Sequence, residues 1–273
     1  MAMSQAWAPD PDLEPDLSHL VTEDDKPVDN RFSERQQRLL PHILFSSWDE
    51  GKPFEALSDV GLFYALDKPA VAPDFMLSLG VTPRPVTSDK KDRSYLTWVH
   101  GKPPELVIEV VSNLKGEELG RKMELYKQIR IAYYVIYDPF CLLSERKLRA
   151  YQLSGTHYTE ILVTDPFYLE ELGLGLTLWN GVIEDVEDCW LRFVNRQGQL
   201  LPTGQEMARA ALDALHLAER QVKLAEEQAR LAQEGLEDAK LQERRAMARK
   251  LLEQGIAPAV IAMTTGLRPE DLD

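Results

Sequence analysis

The stretch ELVIEVVS, from Glu105 to Ser112, carries an acidic residue at the centre of an apolar run. Its aliphatic and β-branched residues are typical of a strand that is buried in a sheet. An ionised carboxylate at Glu109 would cost several kcal/mol there unless something compensates its charge. A metal ion, a cationic side chain or a raised pKa would each do so. The stretch therefore predicts a central strand and a candidate functional acid.

The pattern on both sides of this strand predicts an α/β body, a mixed sheet flanked by helices. A helix is expected from Ser33 through RQQRLLPHILFSSW, with Pro41 kinking or restarting it. A second helix is expected from about Lys115 to Ile129, directly after the central strand. Further strands are expected at residues 56–64, 71–79, 131–139, 148–154, 157–164 and 174–186, the fourth and fifth as an antiparallel pair.

The last quarter of the chain has the composition of a long helix. Residues 205–252 contain no Pro, and small or branched apolar residues recur in two complementary seven-residue phases. This a/d pattern is typical of a coiled coil, and it predicts a homo-oligomer. A single amphipathic helix that packs on its own body is the alternative. The two phases, called the seam below, are Ala208, Leu215, Val222, Ala229 and Leu236, and Ala211, Ala218, Ala225, Ala232 and Ala239.

Charge and composition complete the predicted organisation. The chain of 273 residues has a net charge of -14, half of it in residues 1–30, so local basic surface elsewhere remains compatible with nucleic acid. Two cysteines outside any CxxC pair argue against a zinc site and fit a cytoplasmic protein, and neither a signal peptide nor a membrane span is expected. We expect a disordered acidic leader at 1–30, the α/β domain at 31–198, the long helix at 199–252 and a small helical tail at 253–273.

Three separated residues form a candidate site. Asp74 follows Pro73 at the start of a strand, Glu109 lies inside a strand, and Lys122 lies on the helix after it. Two carboxylates can ligate Mg²⁺ or Mn²⁺. A nearby ammonium can orient or deprotonate an attacking water, or bind a phosphate. The structural alternatives are a turn cap for Asp74, an ion pair for Glu109 and a helical pair with Glu118 for Lys122. Helical spacing places Glu118, Lys122 and Tyr126 on one face.

Together these residues resemble the Uma-two family of restriction-endonuclease-like proteins, within the PD-(D/E)xK nuclease superfamily. The resemblance covers about residues 33–190. It departs from the superfamily motif at Val111, where that motif has Lys, and the family's helical Lys corresponds to Lys122. The matching elements are Pro73-Asp74, Glu109 with Ser112, Glu118 with Lys122, Tyr126, and Tyr133-Tyr134 through Asp138-Pro139.

The resemblance implies a restriction-endonuclease-like core and Mg²⁺-dependent hydrolysis of phosphodiester bonds, with DNA as the expected substrate. It implies that Asp74 and Glu109 bind metal and that Lys122 is catalytic. An additional acid is expected from Glu34 or Glu55, with Glu55 preferred. A catalytically inactive scaffold that acts through its coiled coil is the alternative function. A loop with Lys90, Lys91 and Arg93 is either a nucleic-acid contact or a solvated loop.

Overall fold

The computed structural model describes residues 30–49, 51–85, 87, 92–113 and 117–268. Contacts divide the chain into two compact units, Met1–Gln205 and Glu206–Asp273. The predicted acidic leader lies outside the described residues, apart from Asn30.

A six-stranded mixed sheet forms the centre of the first unit, as the sequence predicts. Its strand order is β1-β3-β5-β6-β7-β8, and every neighbouring pair is antiparallel except the parallel pair β5–β6. A parallel pair needs a crossover, which here is a π-helical turn, Glu118–Lys122, followed by α3, Met123–Ile129. The strands are β1 Phe54–Leu57, β3 Phe75–Leu79, β5 Leu106–Val110, β6 Tyr133–Tyr137, β7 Leu148–Ser154 and β8 His157–Ile161.

Smaller elements cover the two faces of this sheet. One face packs against helix α1, Arg31–Ser47, and against a three-stranded antiparallel sheet. The other face packs against α3 and against the short parallel pair β2–β4. The remaining elements of this unit are β2 Leu62–Phe63, β4 Tyr95–Leu96, α2 Thr97–His100, β9 Phe167–Leu169, a 3-10 turn Glu170–Leu172, β10 Leu174–Ile183 and β11 Val186–Val194.

Helix α1 continues through Pro41, so the predicted restart is wrong. Proline has no N–H, and the carbonyl four residues earlier therefore loses its helical partner. That carbonyl belongs to Gln37, and the hydroxyl of Ser58 donates a hydrogen bond to it at 2.7 Å. The helix starts earlier than predicted because the side chain of Asn30 accepts from the N–H groups of Phe32 and Ser33.

Two predicted strands differ from the observed ones. The strand expected at 56–64 is two strands, β1 and β2, separated by a bend at Ser58–Asp59. The strand expected at 174–186 is β10, and the chain turns at Glu184–Asp185 into β11, its antiparallel partner. Both turn residues have positive φ, 50° and 62°, which suits the right-handed twist of a two-residue hairpin.

The second unit contains most of the long helix α4, Gly204–Glu253, and the helix α5, Pro258–Thr265. The long helix is predicted by the sequence and confirmed. The end of α4 and α5 share a small core of Ala248, Ile261 and Leu267, with Leu251 and Ile256 packed against it. Among the described residues, no helix combines the length and the apolar character that crossing a membrane requires.

Candidate active site

Strand register places two predicted acids side by side. Phe75 of β3 pairs with Ile108 of β5 in antiparallel register, so Asp74 comes opposite Glu109. Side chains alternate between the faces of a sheet. On β5, Ile108 faces the α1 side whereas Val107 contributes to the core on the α3 side. Glu109 and Asp74 therefore share the face that α3 covers.

The side chain of Glu109 is fully buried, and two donors from the crossover compensate it. The ammonium of Lys122 lies 2.9 Å from Oε2. The hydroxyl of Tyr126 donates to Oε1. A buried carboxylate with a cation and a neutral donor is tolerable where an unpaired one is not. Each carboxylate oxygen has a second lone pair, so both stay able to ligate a cation.

Asp74 lies half-buried just before the first residue of β3, where a side chain of helix α1 also reaches it. Its Oδ2 accepts from the N–H of Val110 at 2.6 Å, and its Oδ1 accepts from Nε2 of Gln37 at 2.9 Å. Burial, followed by the neighbouring carboxylate of Glu109, raises the pKa of Asp74 to about 9, against the opposing effects of Val110 and Lys122. Two adjacent carboxylates disfavour the charged form of one another unless further positive charge is present.

Lys122 connects Glu109 to Glu118. Its Nζ lies 3.4 Å from Oε1 of Glu118, in addition to the contact with Glu109. Burial alone lowers the pKa of Lys122, but Glu109 outweighs that effect and the pKa is raised. The other oxygen of Glu118, Oε2, is buried without a hydrogen-bond partner in the described structure, and burial raises the pKa of this carboxyl.

The backbone at Lys122 departs from the predicted regular helix. The N–H of Lys122 bonds to the carbonyl of Glu117 at 3.2 Å, five residues back, and Gly120 has non-helical φ and ψ of -115° and -106°. Such π-helical turns are frequent at functional sites. The predicted face of Glu118, Lys122 and Tyr126 nevertheless forms, since Lys122 contacts Glu118 and both Lys122 and Tyr126 contact Glu109.

A solvent-open cleft of about 840 Å³ lies beside this cluster. Asp74, Glu118 and Lys122 line it, whereas the buried Glu109 lies behind Lys122. Acidic residues outnumber basic ones along its wall. The charged lining residues are Asp59, Asp74, Glu117, Glu118, Glu124, Arg121 and Lys122.

The carboxylate oxygens of this cluster are of the type that a hard divalent cation prefers as ligands. Asp74 and Glu109 supply carboxylate oxygens, which Mg²⁺ and Mn²⁺ prefer. Within the described ranges, no three His, Cys, Asp or Glu side chains form a preassembled metal-binding group. A cation would therefore rely on two carboxylates and solvent, as Mg²⁺ commonly does.

The other predicted site residues lie apart from this cluster or outside the described residues. Glu55 accepts from the Arg84 N–H at 3.3 Å, and its Oε2 lies 3.1 Å from Nε2 of His100. Arg93 lines the same separate, smaller cleft as Glu55. Lys90 and Lys91 fall outside the described residues. The structure therefore joins Asp74, Glu109, Glu118, Lys122 and Tyr126 but does not bring Glu55 to them.

Gln37 is a site residue that the sequence analysis misses. It lies on the buried face of α1 and bonds to Asp74 across 37 positions of sequence. Its neighbour Gln36 is also buried and bonds to the backbone of Leu191. The sequence does contain a signal for this contact. Two adjacent amides lie on the mostly apolar face of α1, and buried amides require specific hydrogen-bond partners.

Comparison with known proteins identifies the family of this chain. A family model, Uma2, described as "Putative restriction endonuclease", matches residues 21–180, more than half of the chain. A crystal structure of a "putative nuclease belonging to DUF820" from Anabaena variabilis is similar at 11% identity and a TM-score of 0.36, covering 50% of this chain and 70% of that one. No curated protein matches. The resemblance predicted from the sequence is confirmed: the chain belongs to the Uma2 family of restriction-endonuclease-like proteins.

Proposed function

We propose that this protein is a divalent-metal-dependent endonuclease that hydrolyses phosphodiester bonds of DNA. The observation that carries the proposal is the convergence of Asp74, Glu109 and Lys122, from two strands and a crossover helix, beside one open cleft. Family membership supports the same reaction class. Metal-assisted hydrolysis at such a site needs oxygen ligands for the metal and a cation for the phosphate or water, and Asp74, Glu109 and Lys122 supply these groups.

Asp74 and Glu109 are the proposed metal ligands, with Mg²⁺ or Mn²⁺ as the cation. When bound, the cation would lower the pKa of a coordinated water and neutralise charge on the phosphate. The acidic wall of the cleft also favours this dependence, since it repels a polyanion until cations bind. Gln37 and the Val110 N–H fix the orientation of the Asp74 carboxylate.

Lys122 is the proposed catalytic cation. An ammonium has three N–H donors, and Glu109 and Glu118 take two of them. Lys122 also lines the cleft, with 29% of its side chain exposed. The third donor is therefore placed to bind a phosphate oxygen or to orient the attacking water. Glu118 positions this ammonium, and Tyr126 positions the Glu109 carboxylate that holds it.

The proposal includes self-association through α4, whose seam is exposed, and a cytoplasmic location as the sequence predicts. The exposed seam is also the observation that favours the second candidate function, a scaffold that acts through α4 and no longer cuts. The two candidates differ in what the cleft residues do. A scaffold needs neither metal binding nor Lys122.

A plasmid-nicking assay separates these functions. Purified full-length protein is incubated with supercoiled DNA and Mg²⁺, Mn²⁺ or EDTA, and nicked and linear products are quantified. We expect cleavage with either cation, none with EDTA, and less than about 1% of the rate in Asp74→Asn and Lys122→Ala. Lys127→Ala is the matched control, because Lys127 lies on the same helix in an ion pair with Glu124.

Two results would decide against the proposal. Cleavage that persists in Asp74→Asn and Lys122→Ala would come from a contaminant or another site. Absence of cleavage, combined with absence of Mn²⁺ binding by calorimetry, would favour the scaffold. A parallel reaction with single-stranded RNA tests the choice of DNA, which is wrong if RNA alone is cut.

A further inference from the structure

Helix α4 exposes its apolar seam to solvent. Every side chain from 207 to 247 is exposed, and Leu215, Val222 and Leu236 are 54%, 57% and 56% exposed. A helix of this length is not stabilised by propensity alone and normally buries an apolar face. The small core shared with α5 begins only at Ala248. We therefore expect another helix to bury the seam.

The sizes of the seam residues distinguish parallel from antiparallel pairing. One heptad position carries the large side chains of Leu215, Val222 and Leu236, and the other carries Ala in every heptad. In a parallel pair, like positions meet, so wide Leu–Leu layers would alternate with empty Ala–Ala layers. In an antiparallel pair, Leu215, Val222 and Leu236 each meet an Ala of the partner, so no wide Leu–Leu layer forms.

The residues beside the Ala position favour one register. In an antiparallel pair this flanking position, heptad e, faces the same position of the other helix. One register places Leu212 against the partner's Met247 and Glu219 against the partner's Lys240. A shift of one heptad in one direction places Glu226 against the partner's Glu226. A shift in the other direction exchanges the Glu219–Lys240 match for Glu226 against the partner's Lys240, but it also separates Leu212 from Met247 and leaves Glu219 against the partner's Met247. The flanking residues are Leu212, Glu219, Glu226, Gln233, Lys240 and Met247, all exposed.

A parallel pair has no comparable charge matching. There the e position faces the g position, the one before each large seam residue. The g residues are uncharged, so neither Glu219 nor Lys240 gains an opposite charge. They are Ala214, Gln221, Gln228, Gly235 and Gln242.

We propose that α4 pairs antiparallel with α4 of a second copy of this chain, with Leu215 against the partner's Ala239 and Glu219 against the partner's Lys240. This deepens the self-association that is part of the proposed function. The paired segment, 208–246, is about 58 Å long at 1.5 Å per residue. A strip about 10 Å wide buries about 1,200 Å² over both chains, the lower limit for a stable interface.

The arrangement separates the two points at which the helices begin. In this register Gly204 lies level with the partner's Lys250, so the two Gly204 residues are about 69 Å apart along the axis. A parallel pair would bring them within one interaxial distance, about 8–10 Å. The pair therefore tethers its two Met1–Gln205 units at opposite ends.

Disulfide trapping in the full-length chain tests the proposal. Single variants Leu215→Cys and Ala239→Cys are made in a Cys141→Ser, Cys189→Ser background, with tags of different size, and are oxidised alone and as a co-expressed mixture. We expect the covalent dimer only in the mixture, because Cα atoms farther apart than about 7 Å do not form a disulfide. Leu217→Cys replaces Leu215→Cys in the control, since it is 53% exposed but lies off the seam.

Charge exchange gives a second measurement that does not need cross-linking. Lys240→Glu is expected to weaken the dimer about tenfold in sedimentation equilibrium, and Glu219→Lys in the same chain is expected to restore it. Lys240 also pairs with Glu237 of its own helix at 2.9 Å. That local pair is lost in both the single and the double variant. The difference between their dimer dissociation constants therefore measures the contact with the partner.

Two outcomes overturn the proposal. A covalent dimer from either single-cysteine variant alone would show parallel pairing. A monomeric mass at every concentration, without any dimer in the mixture, would show that α4 does not pair with itself. Neither outcome bears on plasmid cleavage, so failure of this proposal is distinct from failure of the nuclease assignment.

Discussion

The ammonium of Lys122 lies 2.9 Å from a carboxylate oxygen of Glu109, joining a π-helical turn to the central strand of the sheet. Glu109 is fully buried and Lys122 reaches the cleft. The contact therefore neutralises a buried acid with a cation that lines a solvent-open cleft. It explains why an apolar strand tolerates Glu109, and it makes Lys122 important both to stability and to the proposed chemistry.

Replacing Lys122 by Met tests this double role. The substitution keeps the length of the side chain but leaves Glu109 without its cation, so we expect the free energy of unfolding to fall by about 3 kcal/mol. DNA cleavage is expected to be lost. Urea denaturation and the plasmid assay measure the two effects. Lys127→Met should change the free energy of unfolding by less than about 1 kcal/mol, because its partner Glu124 is exposed to solvent and is not left as a buried charge.

Removing the hydroxyl of Tyr126 should weaken metal binding without abolishing it. Tyr126→Phe deletes the donor to Oε1 of Glu109, which costs about 1–3 kcal/mol of stability and lets the carboxylate reorient. Mn²⁺ calorimetry should show a Kd raised about tenfold. In the control, Tyr158→Phe removes a hydrogen bond to the Ile131 carbonyl, away from the cleft. An equal loss of Mn²⁺ affinity in both variants would contradict the positioning role of Tyr126.

The sheet could be predicted because its strands carry a local signal. Continuous apolar runs identify β3, β5 and β6, alternation identifies the β7–β8 pair, and the central acid identifies the site strand. The β10–β11 turn escaped prediction for a physical reason. Glu184 and Asp185 both adopt positive φ, but a two-residue turn of this kind is normally marked by Asn-Gly or Asp-Gly.

The site could be predicted only in part. Asp74, Glu109 and Lys122 are recognisable by residue type and order, and their meeting follows from strand register. The contact of Gln37 with Asp74 depends on how α1 packs on the sheet, and no local pattern encodes it. The irregular turn before α3 was also missed, because it depends on the non-helical backbone of Gly120, which no local pattern predicts.

Gln37→Leu should lower the affinity for metal more than it lowers the stability of the fold. The substitution keeps a helix former of similar size but removes the donor to Oδ1 of Asp74. We expect Mn²⁺ affinity and the cleavage rate to fall about tenfold, as for other residues that orient a ligand. Gln128→Leu, at an exposed helical position that also lines the cleft, is the control. Unchanged Mn²⁺ affinity in Gln37→Leu would mean that Val110 alone orients Asp74.

Gln36→Leu should destabilise the first unit without changing its affinity for metal. The side chain of Gln36 donates to the Leu191 carbonyl at 3.0 Å and accepts from the Leu191 N–H at 2.9 Å, fully buried. Its removal leaves two buried backbone groups unpaired, which costs about 3 kcal/mol of unfolding free energy. Urea denaturation measures this loss, and Mn²⁺ affinity of the folded fraction should stay within about twofold. Equal stability of the variant would show that water or a rearranged side chain replaces both bonds.

Two leucines of α4 that are almost equally exposed should behave differently on substitution. Leu215 lies in the seam and Leu217 lies outside it, at 54% and 53% exposure. A carboxylate at 215 would replace an apolar side chain in the seam against the partner's Ala239, whereas one at 217 stays in water. We therefore expect Leu215→Glu to shift the sedimentation mass to that of a monomer and Leu217→Glu to leave the dimer intact. Because helix propensity changes equally in both variants, unequal masses can only reflect the face on which the charge lies. Equal dissociation of both variants would place Leu217 in the contact as well and would rule out a two-helix seam.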